Sequence, residues 1–483
     1  MKTIRYKYNI IAGLWLMLII LFASCNRPSG SISMNELPPI YPDYTNIIIP
    51  YNIAPLNFQL RDSISDVEVT LTGENGKITI NGGNKVQFPE DRWKKFLLAE
   101  QGNAVKVQVT AKAHGQWLKY SAFTWTIVPE TIDPYLTYRL IEPGCEVWHR
   151  IQLCERHIES FSERVIADNN LIDRTCMNCH INGNNNPAWS FFQIRGDKGE
   201  TILNQDGQLR KLNVQANYGN LHPGGRYGVF SSNDVQYELH TSGNEKLEVY
   251  DRSSDLLVLD FNQNKIITSR LVSGRTDMET FPVFSADGKS IYFCSAPALP
   301  VPDSLKLLKY SLLKIGFDAQ TGQWGHRIDT LVNMTSESSG SVSFPRPSPD
   351  SRYILYSVSD YGTFPISHPE TNLQLLNLRT NEIDSLVVLQ SEYANTYHSW
   401  SSNSRWFVFA SKRDDGLYGK PYIAYIDAEG TVHKPFVLPQ KDPSFYDYNL
   451  RSFNIPELSK GKLPFNAIDI EDIYWNVEAE PFK

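Results

Sequence analysis

Cysteine and methionine are scarce in this chain of 483 residues, with six of each, and histidine numbers only ten. A basic balance is lacking too: Lys and Arg total 46 against 53 Asp and Glu, a formal net charge of -7. Nucleic-acid readers carry a basic surface, so nucleic acid is excluded as a partner. No G-x-S-x-G elbow, H-E-x-x-H, Walker loop or G-x-G-x-x-G occurs, which removes the common hydrolase, zinc-protease and nucleotide-binding signatures. The one long apolar run, residues 10–22, is shorter than the roughly 20 residues a bilayer span needs. What is present is 41% hydrophobic and 12% aromatic residues, enough for two or three packed domains.

The N-terminus sets Lys2, Arg5 and Lys7 before that apolar run and Ala23 and Ser24 after it, the order of an export signal over residues 1–24. Phe22-Ala23-Ser24-Cys25 resembles a bacterial lipobox. The resemblance implies that Cys25 is lipid-modified and begins the mature chain, with an uncleaved signal anchor as the alternative. Removing the signal strips three cations and no anion, so a lipid rather than a basic patch must hold the protein to the membrane. The implied location is the envelope of a Gram-negative-type bacterium, periplasmic or on an outer-membrane leaflet. Residues 25–46, rich in Ser, Pro and Asn, read as a tether.

The fold class expected is predominantly all-β. Over residues 47–133 the apolar residues alternate: Val67, Val69 and Leu71; Val105, Val107 and Val109; Phe123, Trp125 and Ile127. That is the period of half-buried strands, and it predicts an immunoglobulin-like β-sandwich in architecture. Over residues 134–188 the period changes. Val147, Ile151, Cys154, Ile158 and Phe161 fall on one helical stripe, which predicts a short helical segment.

Residues 189–483 hold an internal repeat. Segments 224–231, 287–294, 350–357 and 403–410 each give a tight turn, a basic residue, and a strand that ends on a small residue: Ser231, Cys294, Ser357 and Ala410. A second strand follows each. Phe281-Pro282-Val283-Phe284-Ser285-Ala286-Asp287-Gly288-Lys289 and the stretch from Trp400 to Asp414 resemble the repeat of TolB-like β-propellers. The resemblance implies a six-bladed propeller and a face that docks an envelope protein. No stretch is left over for an α/β-hydrolase domain.

Cys176-Met177-Asn178-Cys179-His180 fits C-x-x-C-H, the attachment sequence of c-type haem. Two thiols one helical turn apart add to the two haem vinyl groups, and the adjacent imidazole meets the iron. Zinc would need a second ligand pair, and none stands at motif spacing. A thioredoxin-type dithiol would need a following helix, which Asn182, Gly183, Asn184, Asn185, Asn186 and Pro187 break. A Cys176–Cys179 disulfide would be strained. One covalent haem c on Cys176, Cys179 and His180 is therefore expected, His180 being the proximal iron ligand. The distal ligand stays open between His149, His157 and none, the last permitting peroxide chemistry. Cys145 and Cys154 are a possible disulfide in an oxidising compartment. The resulting expectation is electron transfer in the envelope by a lipoprotein that is not a classical enzyme. The alternative is an envelope binding or scaffold protein whose haem is structural or absent.

Overall fold

The computed structural model describes residues 30–61, 63–142, 150–196, 200–214, 216–239, 247–335 and 340–483, and for Cys179 the backbone alone. Cys25, Cys145 and His149 lie outside the described residues, and with them the lipidation site, one half of the Cys145–Cys154 disulfide and one distal-ligand candidate. The chain is predominantly β, and among the described residues no helix is long and apolar enough to cross a membrane.

The N-terminal part follows its alternation. Val67, Val69, Leu71, Val105, Val107, Val109, Phe123, Trp125 and Ile127 are all buried on one face of a seven-stranded sheet. That sheet is accompanied by a three-stranded sheet of short strands and by a helix, Glu90–Ala99. Trp93, Phe96 and Leu97 stand at i, i+3 and i+4 and turn the helix's apolar stripe inward. Its core is continuous with that of the C-terminal strands, and Trp406 Nε1 donates to Glu130 O at 2.9 Å across the junction.

Six further sheets follow a common plan. Sheet 1 comprises Tyr135–Ile141, Ile151–His157 and Glu163–Asp168, completed by Ser452–Ser459 from the far end of the chain, which pairs antiparallel with Tyr135–Ile141. Sheet 2 begins with Met177–Asn182, sheet 3 with Asn217–Leu221, sheet 4 with Asp277–Phe284, sheet 5 with Ser341–Pro347 and sheet 6 with Asn395–Trp400. Each runs outward as an antiparallel meander, and these inner strands are neighbours in cyclic order, with Ser452–Ser459 between the inner strands of sheets 6 and 2. The architecture is propeller-like.

Among the described residues, the helical segment expected over 134–188 is not there. Ile151 and Cys154 of its stripe lie on the strand Ile151–His157, buried on both faces from Ile151 to Arg156, and Val147 lies outside the described residues. A strand covered on both sides loses its alternation, and a stripe of apolar residues three or four apart then mimics a helix. The C-x-x-C-H pentad likewise enters a strand, Met177–Asn182.

Candidate functional site

The pentad is one copy of a feature present in all six inner strands. The ladder shifts register between Asn178 and Ile181, Asn217 and Asn220, Thr280 and Val283, Ser343 and Arg346, Thr396 and His398, and opposite Thr137 and Arg139 within Ser452–Ser459. In five of these bulges one residue takes a left-handed backbone: Tyr218 (φ 46°), Phe281 (51°), Phe344 (50°), Tyr397 (48°) and Ile455 (53°). The bulge re-aims that side chain out of the sheet. Tyr218 and Phe281 rings approach to 4.8 Å, Phe281 and Phe344 to 4.0 Å, and Phe344 and Tyr397 to 5.0 Å. Tyr218 of sheet 3 also reaches Phe344 of sheet 5, at 6.2 Å, so the rings converge on the axis between sheets that are not neighbours. They plug the channel.

Cys179 is the residue at this position in sheet 2, and His180 follows it as Gly219, Pro282, Pro345, His398 and Pro456 follow theirs. His398 shows what a histidine does there. It is 3% exposed, and its Nε2 stands 2.8 Å from Leu355 O, on the second strand of the preceding sheet. His180 is 5% exposed and lies against the backbone of Thr137 and Ile455, the counterparts of Leu355 and Phe344. The contact is looser, and neither ring nitrogen of His180 reaches a hydrogen-bond partner. Burial pushes both imidazoles down to about 3, helped by Arg139 beside His180 and Arg346 beside His398.

Haem c was tested against this geometry. The donor types are right: Cys176 is a free thiol, 8% exposed, and His180 is a neutral imidazole with both nitrogens unbonded. The placement is not. An extended chain rises about 3.3 Å per residue, so three residues entering the strand Met177–Asn182 span up to roughly 10 Å rather than the roughly 5 Å of a helical turn. His180 is packed between two sheets, and Cys176 in a core with Met177 and Phe192. The extended backbone of the pentad opposes a macrocycle held by both thiols. His157 is no nearer to serving: its ring packs on Tyr135 at 5.0 Å and its Nδ1 lies 3.3 Å from Ser160 Oγ. Cys154 is a buried free thiol on the same strand, its pKa raised by burial and next by Glu163. Among the described residues no three His, Cys, Asp or Glu side chains converge as a metal site.

Beyond the plug, toward the turns that follow the inner strands, lies a cavity of about 80 Å³ to which every sheet contributes. That is room for a few waters or one small polar group. Asn182, Asn220, Phe284, Arg346, Ser399 and Glu457 represent sheets 2, 3, 4, 5, 6 and 1 in its wall. Glu457 is 5% exposed, its Oε2 accepting from Asn182 N–H at 2.6 Å. Burial pushes its carboxyl up to about 7, against the pull of the Arg346 charge. These residues carry no sequence motif. Their one signal was position, two or three residues after the bulge residue of each inner strand.

No family model and no curated protein matches the sequence. Among solved structures the chain is similar to prolyl oligopeptidase B from Galerina marginata (10% identity, 80% of this chain and 54% of that one, TM-score 0.37). It is similar also to a puromycin-hydrolyzing peptidase from Mycobacterium tuberculosis (12% identity, 70% and 52%, TM-score 0.35). A third is a DUF4784 family protein from Bacteroides caccae (7% identity, 73% and 96%, TM-score 0.31). The chain spans about half the length of the two peptidases. The expected membership of the TolB-like family, with a haem motif, is corrected by these findings: the likeness is to peptidase-type propellers and a DUF4784 domain, and it concerns architecture alone.

Proposed function

We propose that the chain is an envelope binding module, held to the membrane through Cys25, whose six sheets present one polar mouth to a partner. The observation that carries this reading is the stopped channel: aromatic residues from four sheets meet on the axis, and what remains open is a small cavity walled by all six. Rigid strands set its polar groups, the arrangement that suits recognition. Among the described residues around it, none form a nucleophile, base and orienting acid in succession.

Electron transfer through a covalent haem at Cys176, Cys179 and His180 is the second reading. The two unbonded nitrogens of His180 favour it, and the extended backbone of the pentad opposes it.

The mature protein, made in cells that mature cytochromes, decides between them. The first reading expects no haem stain on a denaturing gel and an unmodified peptide across the pentad. It also expects a small polar ligand that raises the melting temperature of the native chain, but not of Ser399→Trp, which fills the mouth. A stained band establishes the second reading, and a mouth indifferent to Ser399→Trp removes the first.

A further inference from the structure

We infer that the outward face of the N-terminal seven-stranded sheet lies against a membrane surface and binds its anionic lipid headgroups. The inference rests on the Cys25 anchor and goes beyond it: the lipid holds the chain, and this face sets how the chain sits.

The place where the chain enters the fold comes first. Ile32–Ser33 pairs in parallel with Gln116–Lys119 at the edge of the sheet, and Ser31 lines an open trough of about 460 Å³ on the outward face. Six peptide steps separate Cys25 from Ser31. Fully extended they reach roughly 20 Å, less than the roughly 33 Å that the ten residues of the strand Ala104–Ala113 span. A lipid on Cys25 therefore keeps the rim of this trough nearer to the bilayer than the sheet is long.

The face carries the charge that such a surface attracts. Val67, Val69, Leu71, Val105, Val107 and Val109 turn inward, and the residues between them point outward. Thr72 has Lys77 opposite it on one side and Lys106 on the other, and Lys119 stands opposite Thr110. With Lys112 that makes four cations against Asp66 and Glu68, in a chain where acids outnumber bases 53 to 46. Among the described residues the lysines held in ion pairs are others, such as Lys85, Lys211 and Lys420. Trp117 lies half-buried opposite Lys112, beside the edge where the chain enters. An indole among cations suits the headgroup layer, where one side is wet and the other apolar.

Lysine ammonium groups and the neutral donors of Thr70 and Gln108 between them match the phosphate oxygens of lipid headgroups. An acidic protein would also offer negative charge. The described residues lining the trough are Ser, Thr, Gln, Glu and Lys, without the apolar centre that a protein interface buries.

The test places the acylated mature chain on phosphatidylcholine vesicles with and without phosphatidylglycerol, and reads lysine acetylation by mass spectrometry. A lysine near an anionic surface gains about 1 kcal/mol, roughly fivefold. On anionic vesicles Lys77, Lys106, Lys112 and Lys119 are expected to label about fivefold more slowly than in detergent. Lys306, exposed beside sheet 4, is expected to label at an unchanged rate. On neutral vesicles the protection is expected to vanish. As a second measurement, Lys106→Gln with Lys119→Gln should weaken binding of the unacylated Cys25→Ala chain to anionic vesicles roughly twenty-five-fold. Both lysines are exposed, so the core is untouched. A vesicle-bound chain whose four lysines label as in detergent overturns the inference and leaves the anchor standing. Equal protection on neutral and anionic vesicles, or equal slowing of Lys306, overturns it too. A mature chain whose mass shows no acyl group overturns the anchor and the inference together.

Discussion

His180 and His398 hold the same position of the inner-strand bulge in sheets 2 and 6, each buried against the second strand of the preceding sheet. One does so at Thr137 and the other, with a 2.8 Å contact, at Leu355. Three other sheets place proline there, at 282, 345 and 456. The histidine of the C-x-x-C-H pentad is thereby explained as a member of the repeat.

His180→Pro follows directly. Proline has no N–H to donate, and three sheets tolerate its ring after a left-handed residue. The variant is expected to fold, with a melting temperature within a few degrees of the parent by circular dichroism. Unfolding of His180→Pro, or loss of a haem absorption band on making it, would refute the structural role.

Ser231 and Ser357, at the small position of the repeat, face Thr280 and Thr396 of the next sheet at 3.4 and 2.8 Å. In the two remaining copies this position is Cys294 and Ala410, and the corresponding Ser343 Oγ and Asn454 Oδ1 are buried without a partner. Cys294→Ser restores the hydroxyl. It is expected to stabilise by about 0.5–1.5 kcal/mol, the net worth of one hydrogen bond, seen as a higher denaturant midpoint. A lower midpoint would show that the thiol's packing outweighs the bond.

His368 is 1% exposed and lies between two carboxylates, with Nε2 3.2 Å from Glu248 and Nδ1 3.2 Å from Glu370, while Tyr361 OH donates to Glu248 at 3.0 Å. Burial opposes its charge, but the bonds to Glu248 and Glu370 prevail and raise it to about 9. Its folded value exceeds its unfolded one, so the stability it lends is complete below about 6.5 and is lost as pH rises through 9. Melting temperatures of the parent are expected to fall between pH 7 and 9.5 more steeply than those of His368→Gln. Parallel curves would remove the clamp.

Glu279 presents the opposite case. It is 4% exposed with Oε2 unpartnered, and burial, then Asp255 and Asp277, push it up to about 8. Ionising it in the folded state is unfavourable, so it costs stability increasingly as pH climbs from about 4.5 to 8. Glu279→Gln should match the parent at pH 4 and melt higher at pH 8. An equal or lower melting temperature at pH 8 would mean that a counter-charge reaches Glu279 in solution.

The strands of the repeat were legible because turn residues and alternation are local: the segments beginning near 224, 287, 350 and 403 open the strands Tyr227–Leu239, Ser290–Pro297, Tyr353–Ser359 and Trp406–Ser411. The burial of Cys294 was legible for the same reason, since its column held only small residues. Residues 151–158 misled because a strand covered on both faces shows no period of two. The pentad misled because its spacing matches a haem attachment site, while its fit to the repeat depends on a bulge that spacing does not reveal.

By itself, then, the amino-acid order determined the β character of the chain and its repeat, both properties of neighbours a few residues apart. The tertiary structure alone decided that Ser452–Ser459 completes the sheet begun at Tyr135, that aromatic rings from four sheets meet on the axis, and that Arg346 and Glu457 share one mouth. These join residues far apart in sequence, and what brings them together is the burial of each sheet's faces against the next, which no local pattern encodes.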